Sequence, residues 1–380
     1  MFQSNDAKIN YFPVNTLAPK GESVTVFVKK VVGPKSDGFA LVDNGKVFVV
    51  DIGKAEDTEL IDYLLSLREA WIGADPLPAD LPARLEVTVI VSHPHPDHIA
   101  ALPLLFADER FCVIAVYAPT RSQLSFDAEK APPSLVKYEN RLEAACELLA
   151  PHGHTAKGVT RVPFGKVYPV ETGCEDFTLE IYPSHIDWSE DLPDDNAGYR
   201  YILANNPKGY ESMVEKGYSN GVMNGNSLWL KASKGAHSVL ITGDQRDRDE
   251  MMGAMIRHYG EAAFKCTVLK IPHHGEGNYS PHLIGAADPK LTVFTTSIEK
   301  AMPDTVKLCE DMDCRNYYTA DGNLFFDVSD KEVKAYGIEP RLENDINERT
   351  ENGASVIPRA TNGRPYKQKR GREIDLFFAI

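Results

Sequence analysis

The sequence predicts an α+β protein made of two similar β-rich halves with helices outside. Short runs rich in β-branched residues alternate with amphipathic stretches from about residue 20 to 335. Asn44-Gly45, set between two such runs, is a strong signal for a tight antiparallel hairpin. In both halves, apolar strands end in segments that carry His or Asp: 92–98 in the first half, Gly243-Asp244 and His273-His274 in the second. Loops at the carboxyl ends of strands are where α/β architectures place their chemistry.

Taken in order, Val24 to Val32 reads as a first strand, turned by Gly33-Pro34, and Gly38 to Val42 leads into a second. Lys46 to Val50 returns antiparallel and ends in Asp51-Ile52-Gly53. Asp57 or Thr58 can cap a helix that runs to about Glu69, with Leu60, Ile61, Leu64 and Leu67 on its apolar face. Val87 to Val91 is a buried strand, and Ile99 to Phe106 is compatible with a helix. Phe111 to Ala118 reads as a strand, Ser134 to Ala150 as a helix, and Phe177 to Tyr182 as an alternating strand. His152 and His154 lie in a Gly/Pro turn and are expected in a surface loop. Residues 183–222 are irregular and are expected to form an insertion over the active site, where Tyr199, Tyr201 and Tyr210 could meet substrate. Strands follow at Leu228 to Lys231, Ser238 to Asp244, Thr267 to Pro272 and Pro289 to Thr295, with a helix around Asp247 to Tyr259 and a late strand near Tyr318 to Phe326. One domain thus covers 1–336, with the lid-like insertion inside it. Residues 337–380 form a polar arm whose last residues, IDLFFAI, dock on the body or on a neighbouring subunit of a homo-oligomer.

The 380 residues suffice for a sizeable core, and the net charge of −14 disfavours a surface that coats nucleic acid, although a local basic groove is compatible with it. Six scattered cysteines without a Cys-x-x-Cys pair fit free thiols in a reducing compartment. No apolar run approaches the roughly 18 residues of a membrane span. The amino terminus lacks a signal-peptide pattern, so a cytoplasmic protein without membrane partners is expected.

The densest chemistry is Ser92-His93-Pro94-His95-Pro96-Asp97-His98. His93 and His95 stand two apart in an extended segment, so both side chains can point towards one ion. Asp97 and His98 follow as the chain turns and can serve a neighbouring ion. The two prolines stiffen the loop and lower the entropy lost on fixing ligands. Imidazole with carboxylate suits zinc, and also iron or manganese.

His-x-His-x-Asp-His after an apolar strand resembles the signature of the metallo-β-lactamase superfamily. Further motifs are similar to one branch, the hydrolase domain of ComEC-type DNA-uptake competence proteins and its free-standing relatives. These are Ser36-Asp37-Gly38-Phe39-Ala40-Leu41-Val42 with the following hairpin, Asn224-Gly225-Asn226-Ser227-Leu228, Leu240-Ile241-Thr242-Gly243-Asp244, and His273-His274-Gly275. The resemblance implies a metallo-β-lactamase-like αββα sandwich, two mixed β-sheets flanked by helices. It also implies two divalent metal ions, zinc or manganese. His93, His95, Asp97, His98, Asp244 and His274 are the ligands it suggests, with Asp244 bridging and Asp51 supporting the loop from behind. Asp97 would orient the attacking water, and His273 would face the substrate or donate a proton.

Two departures stand out. No histidine lies near Met223 to Ser227, where many members complete the first metal; His185 is the one candidate to reach in. Met302-Pro303 stands where relatives often carry His-Pro. The activity implied is metal-dependent hydrolysis, with a phosphodiester of nucleic acid or nucleotides as the favoured substrate. A carbonyl hydrolase of the lactonase or thioesterase type is the first alternative, and a non-catalytic scaffold that keeps the fold is the second.

Overall fold

The computed structural model describes residues 23–72 except 32 and 34, 84–122, 133–188, 200, 220–247, and 251–340 except 278 and 339. Tyr199, Tyr201, Tyr210, most of the 183–222 insertion and nearly all of the 337–380 arm lie outside the described residues.

The first half contributes β1 (Ser23–Val28), β2 (Phe39–Asp43), β3 (Lys46–Val50), β4 (Leu85–Ile90), β5 (Phe111–Pro119) and β6 (Thr160–Val162). The second contributes β7 (Tyr168–Val170), β8 (Phe177–Tyr182), β9 (Trp229–Lys234), β10 (His237–Ile241), β11 (Val268–Lys270), β12 (Leu291–Phe294) and β13 (Arg315–Tyr318). Then β14 (Leu324–Ser329) and β15 (Val333–Tyr336) return to the first sheet. The sheet orders are β15-β14-β1-β2-β3-β4-β5-β6 and β13-β12-β11-β10-β9-β8-β7. Both sheets are mixed. The first is antiparallel as far as β3 and parallel from β3 to β6; the second is parallel from β13 to β10 and antiparallel beyond.

Alternation along the strands builds four layers. Val24, Val26 and Val28 of β1 and Phe48 and Val50 of β3 point between the sheets, where they meet Leu179, Leu230, Ile241 and Val293. Phe27, Val47 and Val49 point the other way, against Leu60 and Leu64 of the helix Glu59–Ile72 and Leu142 of the helix Pro133–Cys146. Leu240 and Leu269 likewise face Met252 and Met255 of the helix Met251–Tyr259 and Ile284 of the helix Pro281–Ala287. Each such side chain, once fully buried, contributes roughly 1.5–3 kcal/mol. The result is an αββα sandwich of two mixed sheets flanked by helices.

Several expectations need local correction. The stretch 99–106 is two short helices, Pro96–Ile99 and Leu102–Phe106. Pro103 lacks an N–H and clashes with a preceding helical turn, so a new helix starts there instead. The late strand near 318–326 is split. Tyr318 closes β13 in the second sheet, and after a turn with Gly322 the chain enters β14 in the first. His154 is not in a surface loop but buried, with Nε2 donating to the Phe106 carbonyl at 2.7 Å and Nδ1 accepting from the Val113 N–H at 3.0 Å. A satisfied pair of ring nitrogens makes it a core strut between the helix Leu102–Phe106 and β5.

Candidate metal centre

The carboxyl ends of β3 and β4 in one sheet adjoin those of β10 and β11 in the other. Backbone bonds tie the loops together: Leu228 N–H to Ser92 O at 2.9 Å, Ile52 N–H to His98 O at 2.7 Å and Asp37 N–H to Asp97 O at 3.1 Å. Gly243 is required by close approach, because a Cβ there would lie 2.6 Å from the Ser227 Cβ. That contact lets Ser227 Oγ accept the Asp244 N–H at 3.1 Å and aim the carboxylate inward.

Two groups of side chains converge with ligand-capable atoms within 4.8 Å of one another: His93, His95 and Asp244, and Asp37, His98, Asp244 and His274. All six residues are buried. Asp244 Oδ2 is the shared point, 3.9 Å from His93 Nε2, 3.3 Å from His98 Nε2 and 3.1 Å from His274 Nε2. His93 Nε2 and His95 Nδ1 stand 2.8 Å apart. Asp97 borders the second group, with Oδ2 3.5 Å from His274 Nε2.

A carboxylate stands behind each of two imidazoles. Asp51 accepts the Ser92 N–H and hydroxyl at 2.8 and 2.6 Å and takes the His98 Nδ1–H at 2.7 Å. Asp37 takes the His274 Nδ1–H at 2.9 Å, with Lys270 Nζ 2.5 Å from its other oxygen. These bonds fix the ring orientation and turn both Nε2 atoms to the centre.

Charge follows the same plan. Burial alone would lower both imidazoles, but Asp244 and Asp51 hold His98 well above its ordinary range, and Asp244 with Asp37 lifts His274 to about 10. Burial opposes ionisation of Asp97 and Asp244, yet the facing imidazoles outweigh it and hold both carboxyls well below their usual range. Burial and the neighbouring rings push His93 well down, and burial takes His95 to about 4 against Asp97 and Asp244. Those two rings are neutral, with lone pairs to offer.

The donor set fits a cation. Without an ion, His98 Nε2 and His274 Nε2 face Asp244 Oδ2 at 3.3 and 3.1 Å, while Asp97 Oδ2 and Asp244 Oδ1 lie 3.4 and 3.6 Å from the Lys35 and Lys270 ammonium groups. A divalent ion would displace the Nε2 protons of these two imidazoles, and the same buried nitrogens and carboxylate oxygens could then bind it.

His273 lies elsewhere. Its Nδ1 donates to the Glu276 carbonyl at 2.7 Å and its Nε2 accepts from Arg246 at 2.8 Å. Burial and the Arg246 guanidinium hold it well below its ordinary pKa. A neutral ring whose one N–H is committed to a carbonyl is a poor proton donor, which favours the substrate-facing of its two expected roles. The His-His step has positive φ at both residues, 52° and 60°, which splays the two rings. Gly275 follows at φ 85°, where a Cβ would meet Phe294. Met302 N–H bonds Gly275 O at 2.8 Å, so Met302-Pro303 does border this loop. His185 packs against His258, with centroids 6.0 Å apart, and no contact among the described residues brings it to the cluster.

Four residues were not singled out from the sequence: Asp37, Lys270, Lys35 and Arg246. Asp37 stands in a quoted motif but carries no spacing signature of its own. Lys270 reads as the polar position of a strand, yet it is buried, with Nζ 3.6 Å from Asp244 Oδ1. Lys35 Nζ lies 3.4 Å from Asp97 Oδ2.

The fold and the site define a sandwich with a His/Asp cluster at the edge between its sheets. No family model matches the sequence, and no curated protein matches it. Among solved structures, the chain is similar to the metallo-β-lactamase fold protein YhfI from Bacillus subtilis, with 13% identity over 83% of this chain and 100% of that one and a TM-score of 0.41. Zn-bound PqqB from Methylobacterium extorquens is similar at 9% identity, 77% and 97% coverage and a TM-score of 0.40. The short form of human tRNase Z is similar at 13% identity, 72% and 92% coverage and a TM-score of 0.37. Among the described residues, no helix is long and apolar enough to cross a membrane. All six cysteines are unbridged.

Proposed function

We propose that the protein is a metal-dependent phosphodiesterase that acts on nucleic acid or nucleotides with two divalent ions, zinc or manganese. The observation that carries this reading is the convergence of buried His and Asp groups next to cationic side chains, with Lys35 Nζ 3.4 Å from Asp97. His93, His95 and Asp244 would hold one ion, and Asp97, His98, His274 and Asp244 the other. When bound, divalent cations make water acidic near neutral pH and stabilise negative charge on a phosphoryl oxygen.

The rest falls to the chain. Asp51 and Asp37 hold the His98 and His274 rings in register. Asp97, held ionised by the facing imidazoles, would orient the attacking water by accepting a hydrogen bond from it. Lys35 offers an ammonium to a non-bridging phosphate oxygen. Arg246, held by His273, offers a guanidinium to another. A lactone or thioester has no such anionic oxygens, so these cations favour the diester. The likeness to competence-type hydrolases in the four quoted motifs supports the same substrate class.

The test is metal content together with hydrolysis of bis(p-nitrophenyl) phosphate by the wild type and Asp244→Ala, with zinc and manganese each supplied. Metal-dependent turnover that disappears in the variant is expected. Bound metal with turnover only on lactones or thioesters would replace this reading by the carbonyl hydrolase. A protein that binds neither metal would leave the scaffold.

A further inference from the structure

Beside the cluster lies an open groove of about 410 Å³, whose lining includes Lys35, Lys54, Glu56, Pro96, Asp97 and Arg141. That volume lies within the roughly 300–1,000 Å³ of small-molecule sites and is enough for about one nucleotide unit. Asp97 belongs to both the groove and the cluster, so the two are continuous. Three cations meet two carboxylates here, and one of those, Asp97, is already engaged by Lys35 and faces the cluster. Lys54 and Arg141 have no ion-pair partner among the described residues. In a protein of net charge −14, a concentration of cations at one mouth is the place where a polyanion can lodge. Pro96 and Ala100 add apolar surface to the lining.

We infer that this groove seats the nucleotide unit next to the scissile bond, with Lys54 and Arg141 on the adjacent phosphate. The substrate class is then a linear nucleotide chain with at least two phosphates, rather than a lone aryl diester. The inference rests on the phosphodiesterase reading only for the position of the scissile bond; occupancy of the groove is read without chemistry. Both side chains are partly exposed, so their truncation leaves the core intact.

Fluorescence anisotropy of a fluorescein-labelled oligothymidylate in EDTA compares the wild type with the Lys54→Ala/Arg141→Ala double variant. The variant is expected to bind about tenfold more weakly, and its plot of log K against log salt to be shallower by roughly 0.7, the loss of one phosphate contact. With metal restored, the KM for the oligonucleotide is expected to rise several-fold more than that for bis(p-nitrophenyl) phosphate, while kcat moves little. Equal binding and equal salt slopes in the two proteins, or no binding by the wild type at low salt, would overturn the groove. Equal KM rises on both substrates would overturn it as well. Binding that weakens in the variant while neither substrate turns over supports the groove and removes the phosphodiesterase reading instead.

Discussion

The two halves of the molecule repeat one plan and use it differently. In the first, β3 ends just before Asp51 and the parallel neighbour β4 runs into the 93–98 loop; in the second, β10 ends near Asp244 and its parallel neighbour β11 runs into His273-His274. Asp51 and Asp244 thus hold corresponding places. Asp51 has φ 53°, which turns its carboxylate back to Ser92 and His98 until both oxygens are spent. Asp244 keeps its carboxylate towards His93, His98 and His274, with one oxygen left without a hydrogen bond. The lesson is that a strand-end aspartate becomes a support or a centrepiece according to its backbone and its hydrogen bonds, not its place in the topology.

That contrast gives the largest expected effect. If bound cations supply several kcal/mol of transition-state stabilisation, Asp244→Ala lowers kcat by on the order of a thousandfold, about 4 kcal/mol. Asp51→Ala removes only the brace on His98, and metal affinity should drop about 10- to 100-fold, as for other partners of metal-binding histidines. Competition with a fluorescent zinc chelator, followed by turnover at saturating metal, separates the two. Equal losses in both variants would erase the distinction between the paired aspartates.

The loops also differ in how tightly they are packed. Gly45, in the hairpin of the first half, has φ 77° and open space around it. Gly275, in the site loop of the second, has φ 85° and an added Cβ would stand 2.3 Å from Phe294 Cδ1. Gly45→Ala should therefore cost only the backbone strain, about 1 kcal/mol. Gly275→Ala adds a clash with a buried ring, and a loss of about 3 kcal/mol or more is expected. Urea denaturation in EDTA reads both; similar midpoints would mean that Phe294 yields readily.

How far the site could be read from the sequence follows from the same asymmetry. The first half delivers His93, His95, Asp97 and His98 from one contiguous loop, so spacing alone announces them. Asp244 and His274 come from separate strand ends and were reached through motif resemblance. Asp37 and Lys270 were missed because their pairing spans 233 positions of sequence (270 − 37) and exists only after the sheets pack. The choice between His273 and His274 depends on two successive positive φ angles, which no pattern of residue types encodes. The strands were legible because burial on both faces leaves continuous apolar runs such as Val47 to Val50. The short edge strands β6, β7 and β15 lack that signal. His154 looked like a loop residue because Gly and Pro surround it, while its partners, Phe106 and Val113, lie far back in the chain.

His154 also offers the smallest test of how the first half is pinned together. Burial lowers its pKa in the folded protein, against a bond to the Phe106 carbonyl. Above the unfolded value of about 6.5, the ring is neutral in both states and contributes no pH dependence. As pH falls through that value the unfolded chain takes up the proton first, so stability declines until the folded ring titrates too. In EDTA, the urea midpoint of the wild type should therefore fall between pH 7.5 and 5.5 more steeply than that of His154→Gln. The variant starts lower, by about 1–3 kcal/mol if both hydrogen bonds are lost, and the two curves converge on acidification. Curves that stay parallel would mean that the ring titrates alike in both states and that the strut contributes no pH sensitivity.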